Sequence, residues 1–139
     1  MLVTSRSFAE YVAFFALDPD RLPRRVLDCS AGTSGFVAGA PSPWERRRRD
    51  GSFDLAACSH LLFTWANVFD MAWHEAALRE MARVATEVRV FPLVHQGSGE
   101  PVGFLGALRE RLTHVETGVV IVPYAFQVGA DEMLLVSRL

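Results

Sequence analysis

Hydrophobic positions along this chain fall into two kinds of run. Val26-Leu27, within residues 25–29, and residues 53–59 (Phe-Asp-Leu-Ala-Ala-Cys-Ser) are short apolar runs, the pattern of buried strands. Elsewhere the spacing lengthens to three and four. Residues 5–17 place Phe8, Tyr11, Val12, Phe15 and Leu17 largely on one side, with Ser5 or Ser7 as cap, and predict an amphipathic helix. Asp18-Pro19-Asp20 ends it. Residues 33–40 predict a short helix that Pro41 and Pro43 stop. Residues 65–84 predict a long helix, with Trp73, Ala76, Ala77, Met81 and Val84 as its apolar stripe and Glu75, Arg79, Glu80 and Arg83 mostly outside. A third strand follows at 87–94, then a Gly97-Ser98-Gly99 loop, a helix at 102–112, and strands at 117–122 and 133–136.

Alternating strands and helices predict an open α/β sheet that begins with parallel strands. The link between the last two strands is too short for a helical crossover, which makes them an antiparallel pair. Ligands bind such sheets at the carboxyl ends of the strands, so residues 28–34 and Ser59-His60 share one rim. No internal repeat and no Gly- or Ser-rich linker divides the chain, and residues 1–139 are read as a single domain.

Composition narrows the picture. Half the residues are hydrophobic and 22% are charged, which excludes disorder as the main state. A net charge of −2 gives no argument for nucleic acid, and the four arginines 46–49 before Asp50-Gly51 read as a solvated turn. Cys29 and Cys58 lie in apolar runs and read as buried free thiols; no metal-ligand spacing accompanies them. No apolar run approaches the roughly 18 residues of a membrane span, and the N-terminal residues lack a signal-peptide pattern. The expectation is a cytoplasmic protein with no membrane partner.

The candidate chemistry gathers after the first strand. Val26-Leu27 ends in Asp28 and opens into Cys29, Ser30, Ala31, Gly32, Thr33, Ser34 and Gly35. Small residues let backbone N–H groups approach an anionic group, and a following helix N-terminus favours negative charge. A carboxylate at the strand tip attracts a cationic or hydroxyl-bearing group. Together they suit a ligand with an ammonium and a carboxylate. His60 reads as a pocket or acid/base group, or as a hydrogen-bonded histidine at a strand end. His74, His95 and His114 read as surface groups, and Trp65 and Tyr124 as core or rim packing, with a substrate-facing role as the alternative. No carboxylate pair and no Ser–His–Asp order marks a hydrolase.

Several landmarks in order resemble the class I S-adenosylmethionine-dependent methyltransferases, particularly small bacterial members. They are Val26-Leu27-Asp28 with its Gly32 turn, Asp50-Gly51-Ser52-Phe53-Asp54, Ser59-His60-Leu61-Leu62-Phe63, and the helix stretch Leu78-Arg79-Glu80 to Val84. Val122-Pro123-Tyr124 to Met133-Leu134 fits the family's antiparallel tail. Ser30 and Ser34 stand where glycines are usual. The resemblance implies a Rossmann-like sheet flanked by helices and S-adenosyl-L-methionine as cofactor. By carry-over, Asp28 lies near its methionine amino end, Cys29 beside it counts among the cofactor-binding residues, backbone at Ser30, Ala31, Gly32 and Thr33 packs on its methionine and ribose, and Ser59 and His60 line the pocket beside the sulfonium. A small-molecule methyl acceptor would complete the reaction.

The same resemblance exposes a gap. Between the glycine turn and the fourth family strand the family holds a helix, a strand, another helix and another strand, about 40 residues or more with loops. Only residues 36–52 lie there in this chain. The acid that ends the second family strand and holds the ribose has no match. The expectation is a shortened sheet of about five strands, mostly parallel with an antiparallel C-terminal pair. The first strand lies near or at one edge, open to pairing with a second copy, and cofactor affinity is weak. Methyl transfer is then weakened or lost. The alternatives are a non-catalytic binding or oligomerisation module on the same fold, and a dinucleotide-binding oxidoreductase fragment, since Ser30-x-Gly32-x-x-Gly35 nearly fits the G-x-G-x-x-G spacing.

Overall fold

The computed structural model describes residues 15–18, 20, 21, 23–29, 50–123 and 130–138. The expected helices at 5–17 and 33–40, the arginine run and Tyr124 lie wholly or mostly outside them. The described chain forms β1 (Val26–Asp28), β2 (Phe53–Ser59), α1 (Met71–Val84), β3 (Ala85–Phe91), α2 (Leu105–Arg111), β4 (Val115–Ile121) and β5 (Glu132–Arg138).

Turn chemistry and capping set these boundaries. Gly51 has a φ of +64°, the left-handed value that a turn into β2 requires and that side chains resist. Its N–H donates to the Arg83 carbonyl at 2.9 Å, tying the start of β2 to the end of α1. Five of the seven β2 residues, Leu55 to Ser59, are buried, because both faces of the strand are covered.

Helix α1 starts six residues later than the apolar pattern from Trp65 suggests. Residues 61–69 are a series of turns, and Asp70 opens the helix as its N-cap, its carboxylate accepting from the Trp73 N–H at 2.9 Å. The buried stripe is His74, Leu78, Met81 and Val84. Trp73 and Ala76, expected inside, are exposed. Glu75 on the outer side accepts from Arg79 at 3.0 Å and from Arg111 at 2.8 Å. These two guanidiniums hold its carboxyl below the usual range. The other expected bounds shift by a few residues: β3 begins at Ala85 and α2 at Leu105.

The sheet order is β1-β2-β3-β5-β4. β1 pairs β2 and β2 pairs β3 in parallel, while β5 runs antiparallel to β3 and to β4. The sheet is therefore mixed, with two parallel and two antiparallel pairings, and the expectation of a mostly parallel sheet is corrected. The expected pairing of the last two strands holds; what changes the balance is that β5 also enters between β4 and β3. The sheet has the expected five strands, and β1 lies at its edge among the described strands.

Both helices cover one face. Ala56, Cys58, Val88, Val90, Leu134 and Val136 from the sheet pack there with Leu78, Met81 and Leu108. The opposite face buries Leu55, Ala57, Phe91, Met133 and Val122 with Phe15. Phe15 is held by its carbonyl, which accepts from the Arg89 guanidinium, and the Ala16 carbonyl accepts from the same group at 3.0 Å. No helix among the described residues is long and apolar enough to cross a membrane.

Candidate functional site

The carboxyl ends of the three parallel strands form one rim. Asp28 is in register with Ala57, and the Cys29 N–H donates to the Ala57 carbonyl at 2.8 Å. Ser59 is in register with Phe91, and the His60 N–H donates to the Phe91 carbonyl at 2.9 Å. Ser59 thus overhangs the Asp28 position by two residues on the adjacent strand. At strand rise and spacing this puts the two backbones about 8 Å apart, a span that one end of a small molecule can bridge.

The expected site residues divide unevenly. Asp28, Cys29, Ser59 and His60 are brought to the rim, while Ser30, Ala31, Gly32 and Thr33 lie outside the described residues. Cys29 packs against the helix-side core, so its thiol turns inward. Cys58 is fully buried, and neither cysteine is disulfide-bonded. Ser59 is buried at 4% exposure. His60 is half-buried, its ring edge-on to Phe91 with centroids 5.9 Å apart. Its φ of +60° lies in the left-handed region, a conformation that costs an L-residue about 1–2 kcal/mol. Backbone strain of this kind gathers where a side chain must be aimed against local preference.

Behind the rim the 61–69 turns carry a second left-handed residue, Phe63, with φ +66°. Its N–H donates to Nε2 of His74 at 2.8 Å. Nδ1 of His74 lies 2.8 Å from the Asp70 carbonyl. His74 is fully buried rather than a surface group, which corrects the expectation. Phe63 stacks on it at 5.1 Å, and Phe104 and Trp73 meet it edge-on. Burial lowers the pKa of its imidazole from the ordinary 6.5. Its spacing held the missed signal: His74 stands four residues before Leu78 and seven before Met81, squarely on the apolar stripe. Trp65 is 40% exposed, on the outside of the same turns. Of the other histidines, His114 is exposed and His95 is half-buried.

A cleft of about 280 Å³ lies at the other end of the sheet, lined by Asp18, Arg21, Asp54, Leu55, Glu87 and Arg89 among others. Its charges are largely paired with each other or nearby groups. Arg25 donates to Asp54 at 3.0 Å and holds that carboxyl below its usual range, and Arg89 pairs with Glu87. Among the described residues no three His, Cys, Asp or Glu side chains gather as a metal site.

No family model matches this chain and no solved structure matches it. It is similar to Uncharacterized protein MJ0045 of the archaeon Methanocaldococcus jannaschii, at 22% identity over 90 residues. That stretch is 65% of this chain and spans 39% of the length of the archaeal protein.

Proposed function

We propose that this chain is an S-adenosylmethionine-binding, methyltransferase-like protein whose rim at β1 and β2 receives the methionine end of the cofactor. The observation that carries the reading is the juxtaposition of Asp28-Cys29 with Ser59-His60 at the ends of two adjacent parallel strands. The edge position of β1 adds support, since losing two family strands would leave it there. At the level of sequence the rim carries an acid at position 28 and an imidazole at position 60, the latter on a half-buried residue.

S-adenosylmethionine supplies an electrophilic methyl group when bound. The chain's own contribution is placement. The parallel β1–β2 pair sets the backbone of Ser59 beside the Asp28 position, and the His60 ring packs edge-on against Phe91. Transfer to a strong nucleophile needs mainly an in-line arrangement, so this reading requires no dedicated base. A small-molecule acceptor, a cytoplasmic location and pairing of β1 with a second copy belong to the same proposal. So does weak turnover, because the second family strand and its ribose-binding acid have no counterpart in the sequence.

Thermal melting with saturating S-adenosylhomocysteine tests it. A ligand at 100 times its dissociation constant adds about 2.7 kcal/mol, a rise of several degrees for a domain of this size. Such a rise, absent with a nicotinamide cofactor, is the expected result. No rise in a cooperatively melting protein would overturn cofactor binding. A rise with the nicotinamide cofactor alone would favour the dinucleotide reading. Binding without methyl incorporation into any acceptor would assign the non-catalytic module.

A further inference from the structure

The two hydrogen bonds of His74 fix its protonation state by chemistry alone. The Phe63 amide can only donate, so Nε2 must present its lone pair. The Asp70 carbonyl can only accept, so the proton must sit on Nδ1. A neutral imidazole with that one tautomer satisfies both partners, and no other state does. The ring is wholly enclosed, with Phe63 and Phe104 against it, so water cannot replace a lost partner without opening the packing.

The residue at the far end of this bond is itself held in an unfavourable conformation. Phe63 sits at φ +66°, and bulky residues resist that region. The same turn begins at the left-handed His60, and its end is fixed by Asp70, which caps α1. The turns are tied elsewhere by the Gln96 N–H, which donates to the Thr64 carbonyl at 2.9 Å.

We infer that His74 is a positioning residue, a clasp that holds residues 60–69, and with them the His60 rim, in place only while its imidazole is neutral. Protonation puts a second N–H on Nε2, donor against donor, and the Phe63 bond is lost. The strained Phe63 backbone then keeps the bond its carbonyl accepts from the Ala66 N–H but loses the one its own N–H donates, and the turns behind the rim loosen. This inference rests on the geometry of the turns and holds whichever ligand the rim receives.

Few groups compete for control of the switch. The Asp70 carboxylate and carbonyl on α1 favour the proton, and burial opposes it more strongly. Residues 61–69 contain no ionisable side chain, and neither do residues 102–106 around Phe104. His60 at the start of the turns, His95 beside Gln96 and Glu75 next to His74 on α1 are further titratable groups along these segments. The sign follows from the lowered pKa. Above about pH 6.5 the imidazole is neutral in both folded and unfolded chains, and the clasp is complete. As pH falls below 6.5 the unfolded chain takes up the proton first, and stability declines until the folded pKa is passed.

The test is amide hydrogen exchange, corrected for its intrinsic pH dependence, together with ¹⁵N spectra of the histidine rings. Wild type, His74→Gln and His74→Leu are compared at about pH 7.5 and about pH 5. The glutamine amide oxygen can accept from Phe63 without titrating; leucine keeps volume and loses both bonds. In wild type, residues 60–69 should exchange about tenfold faster at the lower pH, while residues 78–84 change little. His74→Gln should lose that pH response, and His74→Leu should exchange fast at both values. The wild-type spectrum at the higher pH should show a protonated Nδ1 and a bare Nε2. A bare Nδ1, Phe63 protection independent of pH in wild type, or an unchanged pH response in His74→Gln would each overturn the clasp. Should His74→Leu fail to fold, the wild-type tautomer and the glutamine variant still decide the matter.

Discussion

Replacing His60 by glycine and by alanine separates what its backbone costs from what its ring contributes. Both substitutions remove the same imidazole and its edge-on contact with Phe91, so that loss cancels between them. The backbone differs. At φ +60° alanine keeps the left-handed penalty of about 1–2 kcal/mol. Glycine has no such penalty but loses about 0.5–1 kcal/mol through its freer unfolded chain. His60→Gly should therefore be more stable than His60→Ala by about 0.5–1 kcal/mol, the reverse of the order seen inside helices and strands. Urea titration reads this directly. With a slope of about 1.5–2 kcal/mol per molar, the glycine midpoint should lie roughly 0.3–0.6 M higher. An alanine variant as stable as the glycine variant would refute the left-handed rim and the strain argument built on it.

Two further perturbations test the scaffold. Leu78 is fully buried between α1 and the sheet, so Leu78→Ala should cost about 2–5 kcal/mol and lower the melting temperature by several degrees; a loss under about 1 kcal/mol would remove it from the core. Asp70→Ala removes the cap on Trp73 N–H and should cost about 1 kcal/mol in urea unfolding, and Asp70→Asn less because its amide oxygen can still accept. Equal stability of Asp70→Ala and wild type would count against the cap.

How much of this was legible depends on whether the signal is local. β2 is bounded as the sequence suggests, Phe53–Ser59, because a continuous apolar run lies between Gly51-Ser52 and a polar Ser59-His60. The start of α1 was not legible in the same way. Trp65, Val68 and Phe69 have helix-like spacing, yet two left-handed residues at 60 and 63 break the ladder before Asp70 restarts it. His74 misleads by residue type: a polar name on an apolar stripe is read as surface unless its two partners are known. The close spacing of β4 and β5 revealed their antiparallel pairing, but nothing local reveals that β5 also pairs with β3. Of the rim, the positions of Asp28, Cys29, Ser59 and His60 follow from strand ends, which hydropathy locates well. The inward turn of the Cys29 thiol and the burial of Ser59 depend on three-dimensional packing.

The placement of β5 also bears on how the protein is made. A ribosome delivers β3 and β4 before the strand that separates them. Until residues 132–138 join the sheet, one side of β3 is bare and β4 has no described strand beside it. Val136 then pairs with Val88 on one side and Thr117 on the other, so both gaps close together and late. Such distant closure slows folding and leaves apolar strand edges exposed to other chains in the interval. A chain truncated before β5 would leave the described strands in two pieces, and such a fragment is the form in which this chain should most need a chaperone.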